Sequence, residues 1–243
     1  MPVRADLHLH SCVSPCGRLE CSPRSVAEAA HRRGLQMLAL TDHNTALNCP
    51  AFAAVCSELG LSAVFGIEIT TREEVHVLGL FETVEQALEL GERLWKHLPQ
   101  IPFDPEKFGD QVYVDPEGVI IGEVERFLLT GVQLGLEECG RLVQRLGGLF
   151  VPAHIDRSAY SIWSQLGFLP DFPYDGLEIT KPNGPIDTGR FATLASSDAH
   201  FLADVGRRYT LLPGEEPGFA ALKTALRART TSPQFTPVSP RSG

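Results

Sequence analysis

Polar and apolar positions alternate along Asp6-Leu7-His8-Leu9-His10, close to the start of the 243-residue chain. Such alternation predicts an extended strand, with His8 and His10 on one face and Leu7 and Leu9 on the other. The period then changes repeatedly. Ser22-Pro23 opens a helical stretch to about Arg33 that Gly34 closes, and Gln36 to Leu40 reads as a short buried strand. A helix from about Ala51 stops at Gly60. Ser62 to Ile67 and the alternating Glu74 to Phe81 predict two more strands, and Thr83 with Gln86 has capping-box spacing for a helix to about His97.

Regularity fails between Pro99 and about Glu123, a stretch that also holds Pro102, Pro105 and Pro116. Within it, Val112 to Val114 and Val119 to Ile121 flank Asp115-Pro116-Glu117-Gly118, which predicts a β-hairpin insertion over about 99–124. Beyond it the pattern gives a helix over about 137–146, strands at 149–153, 175–179, 191–195 and 209–212, and a helix near 219–228. The Ser-, Thr- and Pro-rich stretch 230–243 is expected to lack fixed structure. Strands alternating with helices imply an α/β protein with a parallel sheet or barrel, here one domain over 1–229.

A hydrophobic content of 43% with 21% charged residues supports a buried core of ordinary size. No apolar run is long enough for a membrane span, and the first strand begins so early that no signal peptide fits before it. The expectation is a cytoplasmic protein whose six cysteines are reduced thiols. A net charge of −9 disfavours broad nucleic-acid affinity but not one phosphate-binding site, since bound cations would offset part of it locally.

Candidate chemistry clusters at one end of this scheme. His8 and His10, His43, Glu68, His154, and Asp198 with His200 stand at or just past the C-terminal ends of predicted strands, and His76 lies within one. That end is where β/α barrels build active sites. Neutral imidazoles and carboxylates gathered on one rim are ligands for divalent cations, with Asp6 placed to accept a ring N–H and fix a tautomer. His31 and His97 fall on helix faces and receive no role.

The motifs Asp6-Leu7-His8-Leu9-His10-Ser11, Leu40-Thr41-Asp42-His43-Asn44, Gly66-Ile67-Glu68-Ile69, His76, Pro152-Ala153-His154 and Ser197-Asp198-Ala199-His200 run in order over about residues 4 to 212. In these the chain resembles the PHP family, named for polymerase and histidinol phosphatase. The resemblance implies a distorted seven-stranded, TIM-like β/α barrel, two to three divalent ions (zinc, manganese or iron) and phosphoester hydrolysis. It also implies a grouping of ligands. His8 and His10 would hold one ion with Glu68 and Asp198, Glu68 would bridge to a second shared with His76 and His154, and His43 and His200 would hold a third. Near Cys16 many relatives carry Asp or His as a further ligand of the third ion. A Cys16 thiolate would favour zinc over manganese, and the alternative is a packed thiol beside a weak third site.

Two ions roughly 3.5–4 Å apart can share a hydroxide for in-line attack on phosphorus, with Glu68 and Asp198 as the carboxylates at the reacting centre. Arg157 and Lys181 are the loop cations expected to meet phosphate oxygens, with Arg72, Arg207 and Arg208 behind them. Asp156 is read as positioning water, protonating the leaving group or pairing with Arg157. The resulting expectation is a metal-dependent phosphoesterase for a small phosphomonoester or nucleotide. An exonuclease on nucleic-acid ends, a lactonase-type hydrolase and a non-enzymatic metal-binding sensor or partner subunit stay open beside it.

Overall fold

In the computed structural model, which describes residues 1–236, the alternating stretch forms β1 (Val3–Leu9). A loop leads into α1 (Pro23–Arg32), where the Ser22 side chain accepts from Ser25 N as a helix cap. β2 (Met37–Leu40), α2 (Cys49–Leu59) and β3 (Ser62–Thr70) follow, and α2 ends at Gly60 in the left-handed conformation expected there. β4 (His76–Phe81) precedes α3 (Val84–Trp95), which opens with the reciprocal Thr83–Gln86 capping box. The insertion holds α4 (Pro105–Phe108) and an antiparallel hairpin of β5 (Val112–Val114) and β6 (Ile120–Glu123). The rest comprises α5 (Leu136–Arg145), β7 (Leu149–Pro152), α6 (Ile162–Leu166), β8 (Leu177–Glu178) and β9 (Thr193–Leu194), then β10 (Tyr209–Leu212), α7 (Phe219–Ala228) and β11 (Ser232–Gln234). No helix among the described residues is long and apolar enough to cross a membrane.

Seven strands pair in the order β11-β10-β1-β2-β3-β4-β7 and curl into a half-barrel. This differs from the expected parallel barrel in two ways. Only β1, β2 and β3 run parallel, whereas β4, β7, β10 and β11 each oppose a neighbour. The connection from β3 to β4 is too short to carry a crossover helix, so the chain can only turn back on itself. The second difference is closure. β8 and β9 form a separate two-stranded ladder, and among the described residues no ladder joins β7 to β11. Hydrogen bonds from Ile155 N to Glu178 O and from Thr231 Oγ1 to Thr193 O tie that pair to both sides of the gap. Pro170, Pro173, Pro182 and Pro185, which lack N–H groups, keep the flanking chain from extending the ladder.

The alternation of β1 is also broken. Its pairing with β2 shifts register between Asp6 and Leu9, so Leu7 joins one core cluster with Ala5 and Met37 while Leu9 joins another with Val13 and Leu40. A bulge of this kind re-aims the side chains that follow it. Leu7 and Leu9 therefore do not share a face, and Asp6 is separated from the two histidines.

The stretch from Thr230, expected to lack structure, instead returns as β11 along β10, with Ser232 opposite Leu211 and Gln234 opposite Tyr209. Arg229 at φ 54° ends α7 left-handed and turns the chain back onto that sheet edge. The remainder of the expected tail, 237–243, lies outside the described residues.

Candidate metal centre

Strand direction explains how distant residues reach one rim. His8 and His10 close β1, His43 follows β2 and forms a bridge to Glu68 in β3, and His76 opens β4. Because β4 opposes β3, with Thr70 across from His76, the start of β4 lies beside the end of β3. β7 opposes β4 in turn, which delivers His154 next to His76. Asp198 and His200 flank the Leu9–Ala199 bridge beside β1. All the expected histidine and carboxylate ligands meet here, whereas His31 and His97 are exposed on the helical side.

The atoms converge on shared points. His8 Nε2 lies 3.1 Å from His10 Nε2, 3.3 Å from Glu68 Oε1 and 3.4 Å from Asp198 Oδ1. His10 Nε2 is 3.3 Å from Glu68 Oε2 and 3.1 Å from Asp198 Oδ1. Four ligands about 2.0–2.1 Å from a tetrahedral ion sit about 3.3 Å from one another, which is the spacing seen. Tautomers agree. His8 Nδ1 donates to Glu178 Oε2 at 2.9 Å, and His10 Nδ1 donates to Ser14 Oγ at 3.1 Å. In the neutral rings both Nε2 lone pairs then face each other, a repulsive arrangement unless a cation or proton lies between.

Three sets of ligand atoms emerge: His8, His10, Glu68 and Asp198; His43, Glu68 and His76; and His10, Cys16, His43 and His200. Glu68 Oε1 is 2.9 Å from His76 Nδ1 and 3.1 Å from His154 Nε2, so its two oxygens face different groups of ligands. His43 Nδ1 and Glu68 Oε2 approach to 3.1 Å, yet both are buried without a hydrogen-bond partner. Leaving such atoms unpaired costs about 1–3 kcal/mol each, a cost that cation binding removes. The donor set fits divalent ions.

Burial opposes the charge on His8, His10, His43, His154 and His200, and the carboxylates decide which of these keep it. For His8, Glu178, Glu68 and Asp198 outweigh burial and hold it well above the usual histidine range. His10, against the same burial, is raised to about 9 by Asp198 and Glu68. In His43 and His154 burial prevails and lowers both, while burial and the His10 charge bring His200 down to about 4. Glu68 and Asp198 stay well below the carboxylate range despite burial, because the charged His8 and His10 rings lie against them. Burial, with Glu68 and Asp198 nearby, pushes the Cys16 thiol up in the metal-free site.

Glu178 is the site residue that sequence reasoning passed over. Its Oε2 accepts from His8 Nδ1 and, at 3.0 Å, from His154 N, so one carboxylate orients two ligands. Asp6, expected in that role, instead accepts from Ser197 N and Gly206 N, both at 2.9 Å, because the β1 bulge turns it away. Asp42 fixes the loop before Cys16 by accepting from Ser11 N, Ser11 Oγ and Ser14 Oγ. His154 at φ 30° and Asp198 at φ 51° hold left-handed conformations, a strain of the kind that collects at functional sites.

The centre opens into a cavity of about 220 Å³ lined by Cys16, His43, Glu68, His76, Arg157, Tyr160 and His200 among others. Arg157 reaches down to Asp198, and the Tyr160 ring stacks on His76 with centroids 4.8 Å apart. Lys181, expected beside Arg157 above the ions, lies in the wall of a neighbouring cavity. Its backbone N and that of Thr180 donate to Asp156, whose carboxylate therefore fastens a loop and, among the described residues, forms no ion pair with Arg157 or another arginine. Arg207 and Arg208 donate to the carbonyls of Ser197 and Ser196, and Arg72 approaches Glu73 and Glu138. These three serve the scaffold.

The chain is similar in sequence or fold to several known proteins. The PHP domain model matches residues 6–154, and the PHP-associated model matches residues 188–231. An uncharacterized protein of Methanocaldococcus jannaschii is 29% identical over 138 residues, covering 48% of this chain and 80% of that protein. The 5′-3′ exoribonuclease of Haemophilus influenzae is 35% identical over 83 residues, 33% of this chain and 29% of that enzyme. Among solved structures, the lesion-specific endonuclease PfuEndoQ of Pyrococcus furiosus superposes with a TM-score of 0.69 at 20% identity, over 94% of this chain and 56% of that one. The chain thus spans well under two thirds of either nuclease, and the second likeness is one of fold.

Proposed function

The chain belongs to the PHP domain family, and on that premise we propose that it is a metal-dependent phosphoesterase acting on a small phosphomonoester or nucleotide. The observation that carries this reading is the facing pair of His8 and His10 Nε2 atoms, with Glu68 and Asp198 oxygens at ligand spacing around them. His8, His10, Glu68 and Asp198 would hold one divalent ion, and Glu68 with His76 and His154 a second, beside His43. His200, His43 and Cys16 would hold a third. Such ions supply Lewis-acid polarisation of a phosphoryl group and make water acidic enough to yield a nucleophile near neutral pH.

The protein's own groups do the rest. Glu178 fixes the His8 ring with its Nε2 toward the centre. Arg157 uses part of its five-donor guanidinium on Asp198 and offers the remainder to phosphoryl oxygens. Tyr160, stacked on His76, narrows the mouth and limits water. A second reading, hydrolysis at nucleic-acid ends, draws on the likeness to the exoribonuclease. The net charge of −9 places it behind the first.

The test supplies purified protein with zinc, manganese or iron in turn. Phosphate release from nucleoside monophosphates should exceed attack on a 5′-phosphorylated oligonucleotide and should stop with chelator. Faster processing of the oligonucleotide, falling steeply with salt, would favour the second reading. No hydrolysis of either substrate with any of the three metals would end the first.

A further inference from the structure

Arg157 stands in the walls of two cavities. One is the metal cavity of about 220 Å³, and the other is an outer cavity of about 690 Å³ lined by Asp156, Arg157, Trp163, Lys181, Asn183 and Gly184 among others. The inner volume is below the roughly 300–1,000 Å³ typical of small-molecule sites, so a phosphoryl group fills it and the rest of a nucleotide-sized substrate must lie outside. The outer cavity is in that range and begins at the residue already assigned to phosphate.

Its wall is built. The buried Asp156 carboxylate accepts from Thr180 N at 2.8 Å and Lys181 N at 3.2 Å, wrapping residues 180–184 around itself. Gly184 lies so close that a Cβ there would sit 3.1 Å from Asp156 Cβ, and Asn183 adopts a left-handed φ of 56°. On the other side, α6 is anchored by the Ser161 capping box and by Trp163 N donating to Ile155 O at 3.2 Å. This fixes Trp163 in the wall with its residue 42% exposed, so part of a large aromatic surface stays open. An indole face, an ammonium and a carboxamide around a cavity next to a phosphate-binding arginine match the chemistry of a nucleobase joined to a phosphorylated sugar.

Resting on the phosphoesterase reading, we infer that the outer cavity is a base-binding subsite, in which Trp163 stacks on the nucleobase of a nucleotide whose phosphate occupies the metal cavity. The test compares adenosine 5′-monophosphate with ribose 5-phosphate, which lacks the base. Trp163→Ala should lower the ratio of their specificity constants by roughly 5- to 150-fold, the range that base–aromatic stacking supports, and Trp163→Phe should restore most of it. In a Trp95→Phe background, where Trp163 is the remaining tryptophan, adenosine 5′-monophosphate should quench the fluorescence saturably and ribose 5-phosphate should not. Equal loss on both substrates in Trp163→Ala would mean a merely structural role and overturn the subsite. Hydrolysis of both substrates with no quench would do the same while leaving the phosphoesterase reading standing. Quench without hydrolysis of either substrate would keep the subsite and remove the phosphoesterase reading. Neither quench nor hydrolysis would overturn both.

Discussion

The two cavities that meet at Arg157 are built in opposite ways. The inner wall consists of strand ends, and His8, His10, His43, Glu68, His76, His154 and Asp198 are all buried there. The outer wall consists of loop and one short helix, with Trp163, Lys181 and Asn183 exposed and the backbone fastened to Asp156. The first wall spends stability, through unpaired buried atoms and left-handed ligands, to hold positions that a cation completes. The second wall contains surface that costs little to change. On the proposed function, the chemistry would be fixed in the sheet and substrate choice would rest with the loops.

Breaking the inner wall should have the largest effect. Glu68→Gln or Asp198→Asn should abolish both metal retention, read by elemental analysis, and phosphate release, while His31→Ala changes neither. Retained metal with normal turnover in either carboxylate variant would displace the centre from this rim. The shared residue comes next. Arg157→Ala removes charge-assisted hydrogen bonds worth about 1.5–3 kcal/mol, so the specificity constant should fall roughly 10- to 150-fold with metal content unchanged. Lys181→Ala, on the outer wall, should cost no more than about fivefold on ribose 5-phosphate. Equal losses would return Lys181 to the place the sequence suggested for it.

Glu178→Gln probes the support behind the ligands. An amide keeps one oxygen for the two donors that Glu178 Oε2 now serves, His8 Nδ1 and His154 N, but loses the negative charge that strengthens both bonds. Metal affinity should drop about 10- to 100-fold, as for other groups that orient ligands, with the circular dichroism spectrum unchanged. Unaltered affinity would reduce Glu178 to a spectator.

The contrast between the walls also explains what could be read from the sequence. His8, His10, His43, Glu68, His154 and Asp198 were legible because each ends an apolar run, and strand ends have predictable positions. Glu178 instead lies inside the expected strand 175–179, between Leu177 and Ile179, and its carboxylate matched no motif. The error over Asp6 came from the β1 bulge, which a pattern of alternating residues does not disclose. The reversed directions of β4 and β7 were likewise invisible to periodicity, which is the same for parallel and antiparallel strands. Lys181 lies where Pro-rich chain suppresses any period and Trp163 in a helix of 5 residues, too short to show one, so only the folded chain reveals which cavity they line.

The inner wall's store of charge gives the smallest and most diagnostic effect, a pH dependence that metal should erase. In the metal-free protein His10 is held at about 9, and His8 is also raised. Protonated rings there are better accommodated folded than unfolded, where histidine titrates near about 6.5. Their contribution to stability is full below about 6.5 and is lost as pH rises toward 9. His200, at about 4, and the lowered His43 and His154 work in the other direction, but only below about 6.5, where the unfolded chain takes up protons that these buried rings refuse. From pH 6.5 to 8, before thiols of the unfolded chain ionise appreciably, the raised pair should therefore dominate. The urea midpoint of the metal-free protein should fall across that interval. With ions in place of protons between the His8 and His10 Nε2 atoms, the midpoint should be nearly flat, and metal uptake at pH 7 should release protons into a weak buffer. A metal-free midpoint that rises with pH, or uptake without proton release, would show that these two rings are neutral before any ion arrives.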